Sequence, residues 1–282
     1  MPEALPERAS LGPAAAPPVR FFDSLTHITP DGSWMGANRY DARLERLLEE
    51  MDRCPCPPAC ACLVAIAGLI ENETVLDAAR QHPHRFVPIG SFNPVACADE
   101  IEVGRNVVRL AQDGFAGLKL HPRLNGYDPL DPQVAAAIRA AGDHGLVVFL
   151  DTLFRQPGRA TRYAPDVVDD LALRCPKTPI ILLHGGGSHV LAMSEVVAAH
   201  PQLVLDISFT VLRYAGSSVD DDLRFLLRTF DRRMVVGSDF PEYLPFDVCR
   251  RIENLAAEAA PIQRENVLHA NLARLFEKCS LR

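Results

Sequence analysis

The segment Val235-Val236-Gly237-Ser238-Asp239-Phe240-Pro241 runs from apolar residues into a carboxylate and then meets a proline. Three other segments share that pattern with different polar ends: Phe22-Asp23-Ser24-Leu25-Thr26-His27, Gly117-Leu118-Lys119-Leu120-His121-Pro122 and Ile181-Leu182-Leu183-His184-Gly185-Gly186-Gly187. A buried strand that stops at His, Lys or Asp delivers that side chain to the mouth of a parallel barrel, where barrel enzymes keep their chemistry. The four ends together point to one polar site on an α/β barrel.

Outward from these segments, strand-like and helix-like stretches alternate without a break in composition. Residues 21–27, 61–67, 86–92, 115–121, 145–151, 179–184, 202–208 and 233–238 are the strand candidates, several of them lacking polar alternation, as strands covered on both faces do. Residues 41–52, 72–81, 98–112, 131–142, 166–174, 190–199, 219–229 and 247–259 carry apolar positions at helical spacing, with Asp131-Pro132 and Asp166 as helix starts. Such pairs with short connections predict a distorted (β/α)8 TIM barrel. A further C-terminal helix over 263–278 packs across its outside or bottom. Residues 1–19, rich in Ala and Pro, read as a flexible arm, and 20–282 as a single domain. An open doubly wound sheet is the structural rival, but no Gly-x-Gly-x-x-Gly turn follows the first strand. The run Gly185-Gly186-Gly187 reads as a tight turn that only glycine permits, slightly ahead of an anion site at a helix start.

Composition narrows the function. The 282 residues are 48% hydrophobic with a net charge of -7, which suits a large core and argues against nucleic-acid or anionic-membrane partners. No apolar run reaches the roughly 18 residues of a spanning helix, and Glu3, Glu7 and Pro17-Pro18 interrupt any secretory h-region, so a cytoplasmic location is expected. The eight cysteines then read as reduced thiols. Cys54, Cys56, Cys60 and Cys62 lack the spacing of a zinc knot, and the last two begin a strand, where cysteine acts as a small hydrophobe.

Strand alternation sends Lys119 and His121 to the same side, toward substrate or metal, or toward a buried carboxylate partner. His27 offers an imidazole ligand, and Asp239 a carboxylate that can bind metal and accept a proton from water. Arg123 follows His121-Pro122; Arg155, Arg159, Arg162 and Tyr163 crowd the connection after Asp151; Arg213 and Tyr214 follow the seventh strand. Guanidinium groups converging from such loops suit an anionic substrate, although each singly is more often solvated surface. Trp34 is placed to wall the pocket near His27 or to cap the core.

The order of these ends resembles the amidohydrolase superfamily, in particular its amidohydrolase-related branch of hydrolases and decarboxylases. The match is closest in Gly237-Ser238-Asp239-Phe240-Pro241, near the family's last-strand signature, and covers nearly all of residues 20–278. One departure is on the first strand, where Asp-x-His-x-His is usual and this chain has Leu25 for the first His. Another is on the fifth, where Asp151 stands for the usual His. The resemblance implies His27, Asp151 and Asp239 as metal ligands, with Asp239, His184, Lys119 and His121 as catalytic groups. Arg123, Arg155 and Trp34 would contact substrate. Such a donor set is oxygen-rich and suits manganese or weakly held zinc, while a metal-free mechanism stays open because of Leu25. The implied reaction is hydrolysis of an amide, lactone or ester bond in a small anionic molecule, by a chain that forms a homo-oligomer or stays alone. Non-oxidative decarboxylation and a catalytically silent ligand-binding barrel are the alternatives.

Overall fold

Alternation along the strands sorts their side chains into two apolar layers. The structure, a computed structural model, describes residues 20–35, 39–55, 60–153 and 164–280. Strands β1 (Phe22–Thr26), β2 (Cys60–Val64), β3 (Phe86–Ser91), β4 (Gly117–Leu120), β5 (Val147–Asp151), β6 (Ile180–Leu183), β7 (Leu203–Asp206) and β8 (Met234–Val235) are parallel and neighbour one another in sequence order. Along β5, Val147 and Phe149 join Leu25, Val64, Ile89, Leu183 and Val235 in a cluster inside the barrel. The intervening Val148 and Leu150 face the helices, as Leu118 and Leu120 of β4 do. Each such side chain taken fully out of water contributes roughly 1.5–3 kcal/mol, so the two layers hold the barrel together. Lys119 and Asp151 continue the inward columns at the upper end, and polar groups therefore succeed apolar ones along the barrel axis.

The surrounding helices are α1 (Leu44–Asp52), α2 (Asn72–Gln81), α3 (Glu100–Asp113), α5 (Pro132–Asp143), α6 (Ala164–Arg174), α7 (Val190–Ala199), α9 (Val219–Thr229) and α10 (Pro245–Leu255). Asp131 caps α5 by accepting a hydrogen bond from the Gln133 amide, with Pro132 in the first turn. Helix α6 begins at Ala164, earlier than expected, which places Asp166 inside its first turn where a carboxylate favours the helix dipole. Two short helices, α4 (Pro122–Asn125) and α8 (Thr210–Arg213), interrupt loops at the upper end and have no helical periodicity to announce them. The expected single C-terminal helix is instead α11 (Pro261–Glu265), a π-helical turn over Asn266–Ala270, and α12 (Asn271–Ser280). Helix α12 plugs the lower end of the barrel: Phe276 stacks on Phe22 and Phe149 with ring centroids 5.9 and 6.5 Å apart. No helix among the described residues is long and apolar enough to cross a membrane.

The final strand is much shorter than 233–238 because a side chain takes over its ladder. Asp23 Oδ1 accepts the amides of Ser238 (2.8 Å) and Leu25 (3.1 Å). The barrel closes through single bonds from Ser24 N to Val236 O, Asp239 N to Leu25 O and His27 N to Phe240 O, at 3.2, 2.8 and 2.9 Å. Gly237 is required at this seam, since a Cβ there would lie 2.6 Å from Leu25 N and 2.7 Å from Asp23 Oδ1. The cysteines Cys54, Cys60, Cys62, Cys97 and Cys175 are free thiols, with Cys62 inside the barrel. Cys56 and the arm over 1–19 lie outside the described residues.

Candidate active site

At the β1–β8 seam the chain leaves the strand and turns its polar ends inward. His27 Nδ1 lies 2.8 Å from Val64 O, so that nitrogen carries the hydrogen. Its Nε2 then faces Asp239 Oδ1 at 3.5 Å, a contact that attracts only with a proton or another cation between the two acceptors. Trp34 stacks on His27 at 5.2 Å and donates from Nε1 to Glu242 (2.7 Å), whose other oxygen receives the Tyr40 hydroxyl at 2.8 Å. Burial would raise the Asp239 pKa, but its contact with His27 and the nearby charges of His184 and Lys119 hold it below the ordinary carboxylate value. Asp239 is therefore ionised at neutral pH.

Across the mouth, β4, β5 and β6 bring a second cluster together around Asp151, which is 0% exposed. Its Oδ2 faces His184 Nε2 at 3.3 Å, His121 Nε2 at 3.5 Å and the Arg123 guanidinium at 3.5 Å. His184 Nδ1 points at Ser208 O (3.2 Å), while the Ser208 hydroxyl donates to Asp206 and the His184 amide donates to Asp206 Oδ1 at 3.1 Å. Both ring nitrogens of His184 thus face acceptors, the arrangement of an imidazolium. Burial opposes that charge, yet the hydrogen bond to Asp151 and the nearby Asp239 and Asp151 carboxylates raise its pKa. His121 differs: burial pushes it down to about 3, and its Nδ1 accepts the Leu124 amide at 3.4 Å, so the ring is neutral. Lys119 is lowered by burial to about 8, with Asp151 and Asp239 resisting the fall, so its ammonium survives at neutral pH. Burial would lift Asp151, but His121, His184 and Arg123 hold it well below the usual range.

The two clusters face one cavity of about 200 Å3, lined by His27, Trp34, Lys119, His121, Arg123, His184, Phe209, Asp239 and Glu242, with Met35, Ile66, Leu124 and Leu153 as apolar wall. Among the described residues, the non-glycine residues with positive φ are Met35 (49°), His184 (66°), Phe209 (59°) and Asp239 (57°), and all four line it. Left-handed backbone costs roughly 1–3 kcal/mol per such residue and persists where the surroundings over-determine it, so strain is concentrated at this cavity. Gly185, Gly186 and Gly187 also have positive φ, at 54°, 72° and 67°, and the Gly186 amide donates to Thr152 Oγ1 at 2.8 Å. That is a tight turn, and the amide is already taken.

Of the side chains picked out in the sequence, His27, Trp34, Lys119, His121, Arg123, His184 and Asp239 share the cavity. Asp151 lies behind it, against Arg123 and the two histidines. Arg155, Arg159, Arg162 and Tyr163 lie outside the described residues, and Arg213 and Tyr214 fall at α8, away from the lining. Phe209, edge-on to His184 at 5.6 Å, and Glu242 were not singled out by sequence. Glu242 follows Phe240-Pro241 directly, a signal that could have found it; Phe209 had only its place after Ser208.

A divalent metal fits this donor set poorly. A catalytic zinc site takes three protein ligands, and among the described residues no three His, Cys, Asp or Glu side chains converge as a ligating group. His27 and Asp239 form a pair, Leu25 is packed in the barrel core, and Asp151 has its Oδ2 against His121, His184 and Arg123.

Comparison with known proteins agrees with the fold. Among solved structures, an uncharacterized TIM-barrel protein of Bordetella bronchiseptica superposes with a TM-score of 0.77 at 18% identity, covering 93% of this chain and 99% of its own. A probable 2-pyrone-4,6-dicarboxylic acid hydrolase of Acinetobacter baumannii, with citric acid bound, gives 0.66 at 17% identity over 92% and 99%. A 5-carboxyvanillate decarboxylase of Novosphingobium aromaticivorans, complexed with manganese, gives 0.65 at 12% over 92% and 96%. At these identities the likeness speaks for the barrel alone. No curated protein matches the sequence. Residues 63–278, however, match the amidohydrolase family along most of the chain, and the chain belongs to that family.

Proposed function

We propose that this protein hydrolyses an amide, lactone or ester bond in a small anionic molecule, with Asp239 as the general base. One observation carries the reading: an ionised carboxylate at the edge of the cavity shares it with two buried cationic groups, Lys119 and His184. Water held by Asp239 adds to the substrate carbonyl carbon while its proton passes to the carboxylate. The oxyanion that forms is stabilised by Lys119 and the His184 imidazolium, whose charge is worth most where water is excluded. As the intermediate collapses, Asp239 returns the proton to the leaving oxygen or nitrogen. Arg123 and Lys119 suit a substrate carboxylate, in keeping with the neighbour named a probable 2-pyrone-4,6-dicarboxylic acid hydrolase, which has citric acid bound. Trp34 and Phe209 supply flat walls for its apolar body. No step is drawn through a metal, because among the described residues the donor set lacks a third ligand.

The test is Asp239→Asn, assayed on the best substrate from a panel of lactones, N-acyl compounds and unsaturated or aromatic carboxylic acids. A loss of about 10²–10⁴ in kcat at unchanged melting temperature is expected, and unchanged turnover would remove Asp239 from the chemistry. Decarboxylation is the second reading, because the His184 imidazolium is an acid within the same cavity and could protonate a carbanion. Carbon dioxide release from the panel separates the two.

A further inference from the structure

A second cavity, larger than the candidate active site, lies away from it. It measures about 650 Å3 and opens at the lower end of the barrel, between Pro179 ahead of β6, Leu203 at the start of β7, Arg233 ahead of β8, and Arg274 on α12. Its charged lining is entirely basic, Lys177, Arg232, Arg233 and Arg274, and among the described residues no carboxylate lines it. In a chain of net charge -7 that lining runs against the overall sign.

Two of the cations are fixed in place by neutral acceptors. Arg274 donates from Nε to Ala270 O (3.0 Å) and from Nη2 to the Asn266 and Asn271 side-chain oxygens, both at 2.8 Å. Asn271 is itself tied by its amide to Asp231 O and Met234 O, at 2.6 and 2.7 Å. Arg233 donates to His200 O and Leu203 O, and its pKa is lowered by burial with no carboxylate opposing the fall. Carbonyl and amide oxygens position a guanidinium without neutralising it, so the entropy of ordering it is already spent while the charge remains available. Lys177 and Arg232 are exposed at the rim, with no ion pair among the described residues.

We propose that this cleft is a second binding site, for a phosphorylated small molecule. A dianionic phosphate, with more charge and more acceptor oxygens than a single carboxylate, suits the remaining N–H groups of two positioned guanidiniums together with the two rim cations. The volume lies within the roughly 300–1,000 Å3 of small-molecule sites and leaves room beyond the phosphate for a body against Pro176, Pro179 and Pro201. Bound there, the ligand bridges α12 to the strand ends of β6–β8, and binding raises the melting temperature.

The probe is pyrophosphate, titrated calorimetrically into the full chain at fixed ionic strength. One saturable site per chain is expected. The double variant Lys177→Gln/Arg232→Gln, which alters only exposed side chains, should bind about 100-fold more weakly, roughly tenfold for each charge-assisted contact removed. Arg123→Gln, at the upper end of the barrel, should bind as the wild type does. Absence of saturable binding overturns the proposal. So does binding lost in Arg123→Gln but kept in the double variant, which moves the anion to the other cavity, and so does citrate binding as tightly as pyrophosphate.

Discussion

On the β1–β8 side of the upper pocket, His27 and Asp239 meet at 3.5 Å beside the cavity, and the carboxylate keeps a face toward whatever enters. On the β4–β6 side, Asp151 is fully buried, and its Oδ2 faces His121, His184 and Arg123. Both sides carry a carboxylate at the end of an apolar strand, yet one leaves it free to take a proton and the other spends it on holding cations. The difference teaches that a carboxylate's role in this fold follows from its cross-strand neighbours. In the proposed reaction Asp239 is the base, while Asp151 faces His184 and Arg123 and favours the charged imidazole.

That contrast can be broken by substitution. Asp151→Asn strands buried cations without their partner, and the loss should be about 3–5 kcal/mol of stability in urea unfolding; a fall no larger than that of a surface change would show that Asp151 anchors nothing. His184→Asn removes a proposed oxyanion donor and should lower kcat by about 10²–10³, together with a fall in melting temperature from breaking its buried pair with Asp151, whereas an effect confined to KM would place His184 in substrate binding alone. Lys119 gives a smaller, pH-dependent signature. Its folded pKa of about 8 lies below that of an exposed lysine, so above pH 8 the ammonium is lost and KM for an anionic substrate should rise about tenfold. The same shift has a sign for stability. Between about 8 and the lysine's unfolded value the unfolded chain binds more protons, so the cost of burying this charge is full below pH 8 and is relieved as pH rises. A flat KM from pH 7 to 10 would remove Lys119 from substrate binding. The smallest effect is the one expected of exhaustive chelation, which should leave turnover unchanged because His27 and Asp239 are two donors and not three; activity lost to chelator and restored by manganese would contradict the two-donor reading.

The strand ends that decide the fold were legible because a polar residue that stops a buried apolar run must sit where the strand leaves the core. Lys119, His121, His184, Asp239 and His27 were found that way, and all line one cavity. Partnership was not legible. The sequence grouped Asp151 with His27 and Asp239, but β5 lies between β4 and β6 and away from β1, so its carboxylate meets the groups of its neighbours. Run length tells which side chain reaches the mouth and says nothing of which one it faces. The shortened last strand was hidden for a related reason: the Asp23 side chain replaces a ladder partner, a substitution no periodicity records. Asp206 and Ser208, which hold His184 from behind, end an apolar strand as the other site residues do, and nothing in the run tells a carboxylate that supports a histidine from one that faces the cavity.

The central claim is that water, activated by Asp239, attacks a substrate carbonyl. It is tested most directly by turnover in water labelled with heavy oxygen, followed by mass spectrometry of the acid product. Hydrolysis as described places one labelled oxygen in the new carboxylate and releases no carbon dioxide; release of carbon dioxide with an unlabelled product would contradict it.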